Sequence, residues 1–162
     1  MIYKSYLLEQ NIDLIKNNIF LFYGENDGLK NEFKRKIREK NNKKEILVLN
    51  QDEILKNSNS FINELSNQSL FENKRIFFIN QISDKFFNIF EQITELVEKD
   101  QIFLFGENLD KKSKLRNFIE KSNDLGISPC YSDNEITIKR IINEKLKSFK
   151  GMTPQLINLI IE

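Results

Sequence analysis

Short apolar runs that alternate with helical stretches constrain the fold of this chain more than any other feature. Four runs of Ile, Leu, Val and Phe, each ended by glycine or a polar residue, are typical of strands buried on both faces. A weaker fifth run follows them. The predicted strands span residues 19–24, 45–50, 75–80, 101–107 and 126–132.

Apolar residues spaced by three or four positions lie between these runs and predict amphipathic helices. Strands that alternate with helices indicate an α/β fold, with a mainly parallel five-stranded sheet covered by helices on both sides. The residues that mark the four helices are Leu29, Phe33 and Ile37; Ile54, Phe61, Ile62 and Leu65; Phe86, Ile89, Phe90, Ile93, Leu96 and Val97; and Leu115, Phe118 and Ile119.

The pattern changes after residue 132, where two helical segments, 136–149 and 153–161, follow each other without a strand. Gly151 is a C-cap signal, and Thr153 before Pro154 is typical of a helix start. We therefore expect an α/β domain over 1–133 and the beginning of a helical domain over 134–162. The apolar residues of the last helix still need a cover, so we expect a fragment of a longer protein; the alternative is a terminal helix that docks on the sheet.

Composition excludes several functional classes. The sequence has 25 Lys and Arg against 24 Asp and Glu, no histidine and one cysteine. Zinc sites of Cys and His, histidine general bases and intrachain disulfides are therefore excluded, and we expect no metal and no cofactor. Cys130 is expected to be a buried thiol. No signal sequence or membrane span is evident, which favours a cytoplasmic protein without a membrane partner.

The loop after the first predicted strand can be aligned with the phosphate-binding motif G-x-x-x-x-G-K-[ST]. Gly24 and Lys30 have the required spacing, but Leu29 replaces the second glycine and Asn31 replaces the hydroxyl residue that holds Mg²⁺. The third predicted strand ends in Asn80, where a nucleotide hydrolase needs a carboxylate. We therefore expect a degenerate loop and no catalytic residue.

Two other interpretations of this loop stay open. In the first, the chain is a P-loop ATPase or nucleotide kinase that uses Lys30. In the second, the loop is an ordinary strand–helix turn in which Asp27 caps the helix and Lys30 is solvated.

Three motifs in order, "IFLFYGENDGLKNEF", "NQSLFENKRIFFIN" and "DQIFLFGENLDKKSKL", resemble the delta subunit of the bacterial DNA polymerase III clamp loader. The resemblance implies an AAA+-like first domain of the P-loop NTPase type with a decayed P-loop, followed by a helical lid. It also implies a non-catalytic subunit of the polymerase holoenzyme, a nucleotidyltransferase complex.

By this resemblance, Ser69, Leu70 and Phe71 form a hydrophobic wedge that binds the sliding clamp (the beta subunit) and opens the ring for loading onto DNA during replication. The implied partners are that clamp, the gamma/tau and delta-prime subunits of the loader, and primed DNA within the assembled loader. Without the resemblance, local composition favours Leu70 and Phe71 as side chains that fold back beneath the sheet, as core residues of an unrelated α/β interaction domain would.

Two basic groups have alternative interpretations. Lys74 and Arg75 form either the solvated start of a strand or a pair that orients the wedge loop or meets acidic clamp residues; the family often has two arginines here. Lys111, Lys112, Lys114 and Arg116 begin the fourth helix and are either a solvated face or a contact to DNA.

Overall fold

The computed structural model describes residues 1–67, 74–149, 151 and 153–161. The chain divides into two compact units, Met1–Cys130 and Tyr131–Glu162. All five predicted strands are present in the first unit, as β1 (Ile19–Tyr23), β2 (Ile46–Asn50), β3 (Ile76–Ile82), β4 (Gln101–Gly106) and β5 (Gly126–Pro129). They form one parallel sheet in the order β2-β3-β4-β1-β5, which confirms the predicted α/β class.

The sheet buries apolar side chains on both of its faces, because alternate residues of a strand point in opposite directions. In β1, Leu21 and Tyr23 belong to one core cluster, and Phe20 and Phe22 belong to the other. The first cluster is completed by residues of α4 (Ser58–Ser66), α5 (Phe87–Leu96) and α6 (Lys114–Lys121), and the second by residues of α1 (Ser5–Gln10) and α2 (Asp27–Lys40). Helices thus cover both faces, as the alternating pattern predicts.

The prediction that every strand is buried on both faces is wrong for β2. This strand lies at an edge of the sheet, its residues are partly buried or exposed, and Val48 is 50% exposed. An edge strand has a neighbour on one side only, so its apolar composition does not by itself guarantee complete burial.

Two of the predicted helices are divided. The segment marked by Ile54 to Leu65 forms α3 (Gln51–Lys56) and α4, which meet at Asn57. The segment that begins at Phe86 starts with a 3-10 turn, Asp84–Phe86, before α5. Apolar periodicity indicates which face of a helix is buried. It does not indicate where one helix ends and the next begins when both bury the same face.

The N-terminal segment has structure that the sequence analysis did not predict. Besides α1, it contains a 3-10 turn over Ile12–Leu14, and Ile2 forms a parallel bridge with Ile127 of β5. The terminal ammonium group of Met1 donates to the carbonyl oxygens of Ser122 at 2.7 Å and Leu125 at 2.6 Å. These contacts fix the start of the chain to the β5 edge of the sheet.

The second unit contains the two expected helices, α7 (Glu135–Lys145) and α8 (Pro154–Ile161). The Asn134 side chain caps α7 by accepting from Thr137 N at 2.9 Å, and Thr153 Oγ1 accepts from Leu156 N at 3.2 Å at the start of α8. Gly151 has a φ of 91°, in the region that favours glycine. The Thr153 cap read from the sequence is therefore confirmed. The predicted helix over 136–149 is shorter than expected, because α7 ends at Lys145 with Leu146 as its C-cap, so Gly151 is not the C-cap of this helix.

Within the described part of the chain, no helix has the length and apolar character needed to cross a membrane.

Candidate functional site

The loop that follows β1 packs against the backbone of Cys130. Gly24 has a φ of 130°, and a Cβ atom at this position would lie 2.2 Å from the carbonyl oxygen of Cys130. The glycine is therefore required by close packing inside the fold, whether or not phosphate binds here. Cys130 is completely buried, as expected, and burial raises the pKa of its thiol to about 12.

Backbone N–H groups of this loop are bound to the protein itself. Gly24 N donates to the carbonyl oxygen of Glu107 and Asn26 N donates to that of Cys130, each at 3.0 Å, while Asp27 N donates to Glu25. A phosphate-binding loop works by pointing such groups at the ligand. Because these three donors already have acceptors, the loop does not present the usual phosphate cradle.

The cap of α2 is Asn26, so the prediction that Asp27 caps this helix is wrong. The Asn26 side chain accepts a hydrogen bond from Leu29 N at 2.9 Å, and Asp27 is the first helical residue. Asn and Asp are comparable N-caps, and the sequence "ENDG" offers both within two positions.

Lys30 is buried, which corrects the prediction that it is a solvated residue. Its Nζ donates to the carbonyl oxygens of Gly24 at 2.8 Å and Gly106 at 3.0 Å, and forms an ion pair with Asp27 at 2.9 Å. The hydrogen bond from Lys30 lowers the pKa of the exposed Asp27 carboxyl. An ammonium group has three donors, and all three are used within the protein.

The other positions that a nucleotide hydrolase uses to hold its metal ion have amide side chains in this chain. Asn31 is exposed, and Asn80 and Gln81 lie beside Lys30 on a cavity of about 310 Å³, at the end of β3 where a hydrolase needs a carboxylate. The acidic residues that line this cavity are Asp27, which pairs with Lys30, and Glu107, which follows β4. Gln81 has a φ of 59°, at an irregularity in the pairing of β3 with β4. Among the described residues, no cluster of three or more His, Cys, Asp or Glu side chains is arranged to hold a metal ion.

The predicted wedge residues Ser69, Leu70 and Phe71 lie outside the described residues. The residues on either side of residues 68–73 are described, and Arg75, on the C-terminal side, contacts Glu64 on the N-terminal side. The guanidinium group of Arg75 donates to Asp100 Oδ2 at 2.7 Å and to the carbonyl oxygen of Glu64, in α4, at 3.2 Å. Arg75 thus connects the C-terminal turn of α4 to the start of β3.

Arg75 is therefore not a solvated residue at the start of a strand, which corrects that interpretation. Its side chain is 16% exposed, that of Asp100 is 13% exposed, and the Arg75 backbone N–H also donates to Asp100. Lys74, the other member of the basic pair, is exposed. Asp100 was not predicted as a partner of Arg75, although the sequence holds a signal: Arg75 and Asp100 each precede a strand, and Ile76 pairs with Gln101 in the sheet.

The basic group at the start of α6 is divided between surface and interior. Lys111, Lys112 and Lys114 are exposed, whereas Arg116 donates to Glu120 Oε1 at 2.8 Å and to the carbonyl oxygen of Leu109 at 3.0 Å. The guanidinium group of Arg116 also lies 5.0 Å from the ring centre of Tyr23. A contact to DNA by this group remains a prediction, carried mainly by the three lysines.

Comparison with known proteins gives matches at the level of structure. No protein-family model and no curated protein matches the sequence. The solved structure of a Bacillus subtilis DNA clamp loader delta protein is similar, with a TM-score of 0.63 and 13% identity over 89% of this chain. Domain III of the Thermotoga maritima replication initiation protein DnaA is similar with a TM-score of 0.54 and 12% identity, over 98% of this chain and 72% of that domain.

These similarities establish the fold. The chain has the AAA+-like α/β architecture of both structures, as the resemblance implies. It spans 47% of the length of the clamp loader delta protein.

Proposed function

We propose that this chain acts in DNA replication as a non-catalytic subunit of a clamp loader. In this proposal, Ser69, Leu70 and Phe71 bind the sliding clamp and hold its ring open. Other subunits of the loader bind and hydrolyse ATP, and the gamma/tau and delta-prime subunits are partners of this chain in the assembly. Primed DNA is a partner within the assembled loader.

The main support is the state of Lys30. A lysine that serves a nucleotide must be available to the phosphate oxygens, whereas this ammonium group is already bound to two backbone carbonyls and to Asp27. In this AAA+-like domain, the side chains of Lys30 and Asp27 occupy the position where a phosphate would bind. We therefore expect a subunit that binds a partner protein while other subunits hydrolyse ATP. The structural similarity to a clamp loader delta protein and the motif "SLFENKRIFFIN" agree with this role.

Ring opening by such a subunit needs no reacting group. A protein that binds the open ring more tightly than the closed ring shifts the equilibrium between them by the difference in binding free energy. Two large apolar side chains in a pocket of the clamp are suited to this, because a few buried anchors usually provide most of the energy of an interface. Arg75, through its hydrogen bonds to Glu64 and Asp100, forms a brace that joins the described residues before position 68 to those after position 73.

The competing function, a P-loop ATPase or nucleotide kinase that uses Lys30, receives no support from the geometry. Such an enzyme requires free N–H donors in the loop and a metal-binding carboxylate near β3. Gly24, Asn26 and Asp27 donate to the protein, and β3 carries Asn80 and Gln81 at the relevant edge.

A pull-down with the sliding clamp of the same organism tests the proposal. We expect wild-type protein to retain the clamp and the Leu70→Ala/Phe71→Ala variant to lose it. The matched control is Tyr6→Ala/Leu7→Ala, which removes another adjacent apolar pair, 49% and 39% exposed, from α1. Retention of the clamp by a folded Leu70→Ala/Phe71→Ala variant, or no retention by wild-type protein, contradicts the proposal.

A further inference from the structure

A cavity of about 270 Å³ lies at the amino-terminal edge of the sheet. Its lining includes Asn18, Lys44 and Lys74, which lie one or two positions before β1, β2 and β3, and Gln101, the first residue of β4. Because the strands are parallel, their amino ends meet at one edge and their carboxyl ends at the other. This cavity therefore lies at the edge of the sheet opposite to the cavity that Lys30 lines. The structural role of Lys30 is separate from this second cavity.

The lining of this cavity is strongly basic. It contains Lys16, Lys40, Lys44 and Lys74, and none of its described lining residues is acidic. Asp13 forms an ion pair with Lys40, while the other three lysines make no salt bridge within the described part of the chain. We call this site the lysine cavity. Lysines gathered around a concave surface raise the local concentration of anionic groups.

The floor of the lysine cavity is apolar. Ile15, Ile37 and Phe103 line it, and they are 7%, 2% and 4% exposed, respectively. A concave site with an apolar floor and a few charged groups at its rim selects ligands that combine an apolar body with a charge of opposite sign. Carboxylates next to apolar side chains in a protein segment have this chemistry.

We propose that the lysine cavity is a second contact surface for the sliding clamp and that it receives an acidic segment carrying an apolar side chain. This inference rests on the proposed function. Lys74 lines the cavity and directly follows residues 68–73, so a partner that takes Leu70 and Phe71 lies within reach of the cavity. The wedge supplies apolar contact, and the lysine cavity supplies charge complementarity at its side.

Because the lysine cavity and the wedge make different kinds of contact, substitutions in each should change a different rate constant of clamp binding. Charged groups at the rim of an interface mainly accelerate association and make it dependent on salt, whereas buried apolar anchors mainly slow dissociation. The lysine cavity should therefore govern the association rate constant at low ionic strength. Leu70 and Phe71 should govern the dissociation rate constant.

Surface plasmon resonance with immobilised clamp measures both rate constants for the full chain. The test variant is Lys16→Glu/Lys44→Glu, and the control is Lys56→Glu/Lys121→Glu, which makes the same change in net charge on exposed lysines of α3 and α6. At about 50 mM salt, we expect the test variant to associate about ten-fold more slowly than wild type and the control to change less than about two-fold. The difference should shrink at about 300 mM salt because screening weakens exposed charges.

The possible outcomes distinguish failure of the cavity assignment from failure of the proposed clamp-binding function. Wild-type binding that is lost in Leu70→Ala/Phe71→Ala but unchanged in Lys16→Glu/Lys44→Glu overturns the cavity assignment and leaves the wedge intact. An equal effect of the test and control variants also overturns it, since net charge alone then explains the result. If the test variant loses affinity for single-stranded DNA in a parallel anisotropy titration while clamp association is unchanged, the cavity binds phosphate and the inference is wrong. Absence of wild-type binding contradicts both proposals.

Discussion

The ammonium group of Lys30 donates to the carbonyl oxygen of Gly106 at 3.0 Å and so joins the first turn of α2 to the end of β4. In this position Lys30 is a structural residue. It satisfies backbone acceptors of two neighbouring strands at the edge of the sheet where a nucleotide would otherwise bind.

Replacement of Lys30 should therefore affect stability. Lys30→Met leaves the Gly24 and Gly106 carbonyls without this donor, and we expect a loss of about 1–3 kcal/mol in the free energy of unfolding. Asn31→Ala is the neighbouring control at an exposed position and should change it by less than about 0.5 kcal/mol. Urea denaturation measures both. Equal stability of Lys30→Met and wild type would show that the three contacts of the ammonium group contribute nothing net.

The protein should not bind ATP. The N–H groups of Gly24, Asn26 and Asp27 and the ammonium group of Lys30 already have acceptors in the protein, so isothermal titration calorimetry with ATP and Mg²⁺ should give no saturable heat up to millimolar concentrations. Micromolar affinity that depends on Mg²⁺ would contradict the structural role of Lys30 and favour an ATPase or kinase.

Gly24 and Gly28 provide a matched pair for the loop. Gly24→Ala places a Cβ atom against the carbonyl of Cys130 at a positive φ, and we expect it to destabilise the protein by more than about 2 kcal/mol. Gly28→Ala meets nothing closer than the Asn26 Oδ1 atom at 3.4 Å and should be neutral or stabilising by up to about 1 kcal/mol. Thermal denaturation gives the order, and a reversed order would refute the packing argument.

The Arg75–Asp100 pair should be important for stability and for the position of the predicted wedge. We expect Arg75→Ala to cost about 2–4 kcal/mol, because it leaves a largely buried carboxylate without its partner. Lys74→Ala, at the exposed neighbouring position, is the control and should cost less than about 0.5 kcal/mol. A double-mutant cycle with Asp100→Ala isolates the pair. A coupling energy near zero would mean that the brace is not energetically significant.

The Cys130 thiol should make stability depend on alkaline pH. Burial raises its pKa from 9.0 to about 12, so the folded protein holds this proton more tightly than the unfolded chain does. The corresponding stabilisation is complete below about pH 9 and is lost as the pH rises toward 12. Urea denaturation of wild type and Cys130→Ser between pH 8 and pH 10.5 measures the difference. Parallel pH profiles of the two proteins would contradict the shift.

The sheet could be predicted because a short, uninterrupted apolar run is typical of a parallel strand that is covered on both faces. β1, β3 and β4 match this expectation closely. β2 differs because edge position follows from strand order, which apolar composition does not encode. The N-terminal segment has weak periodicity and is held by contacts from Met1 and Tyr3 to residues more than a hundred positions away.

Features of the candidate site that depend on the identity of a single side chain could be predicted from the sequence. Features that depend on contacts between residues far apart in the chain could not. Leu29 and Asn31 indicated a decayed phosphate loop from their side chains alone. The burial of Lys30 depends on Gly106, which lies 76 positions away, and the pairing of Arg75 depends on Asp100. The lysine cavity was missed for the same reason, since its residues come from the starts of four strands and from adjoining segments.

Binding of the sliding clamp in the absence of nucleotide is the most direct test of the proposed role. Calorimetric titration should give saturable binding for wild-type protein, with a Kd that ATP does not change. Leu70→Ala/Phe71→Ala should weaken this binding by about 30-fold or more, since each anchor is expected to contribute about 2–4 kcal/mol. Tyr6→Ala/Leu7→Ala should bind as wild type does. Wild-type affinity in a folded Leu70→Ala/Phe71→Ala variant would contradict the role proposed for this chain.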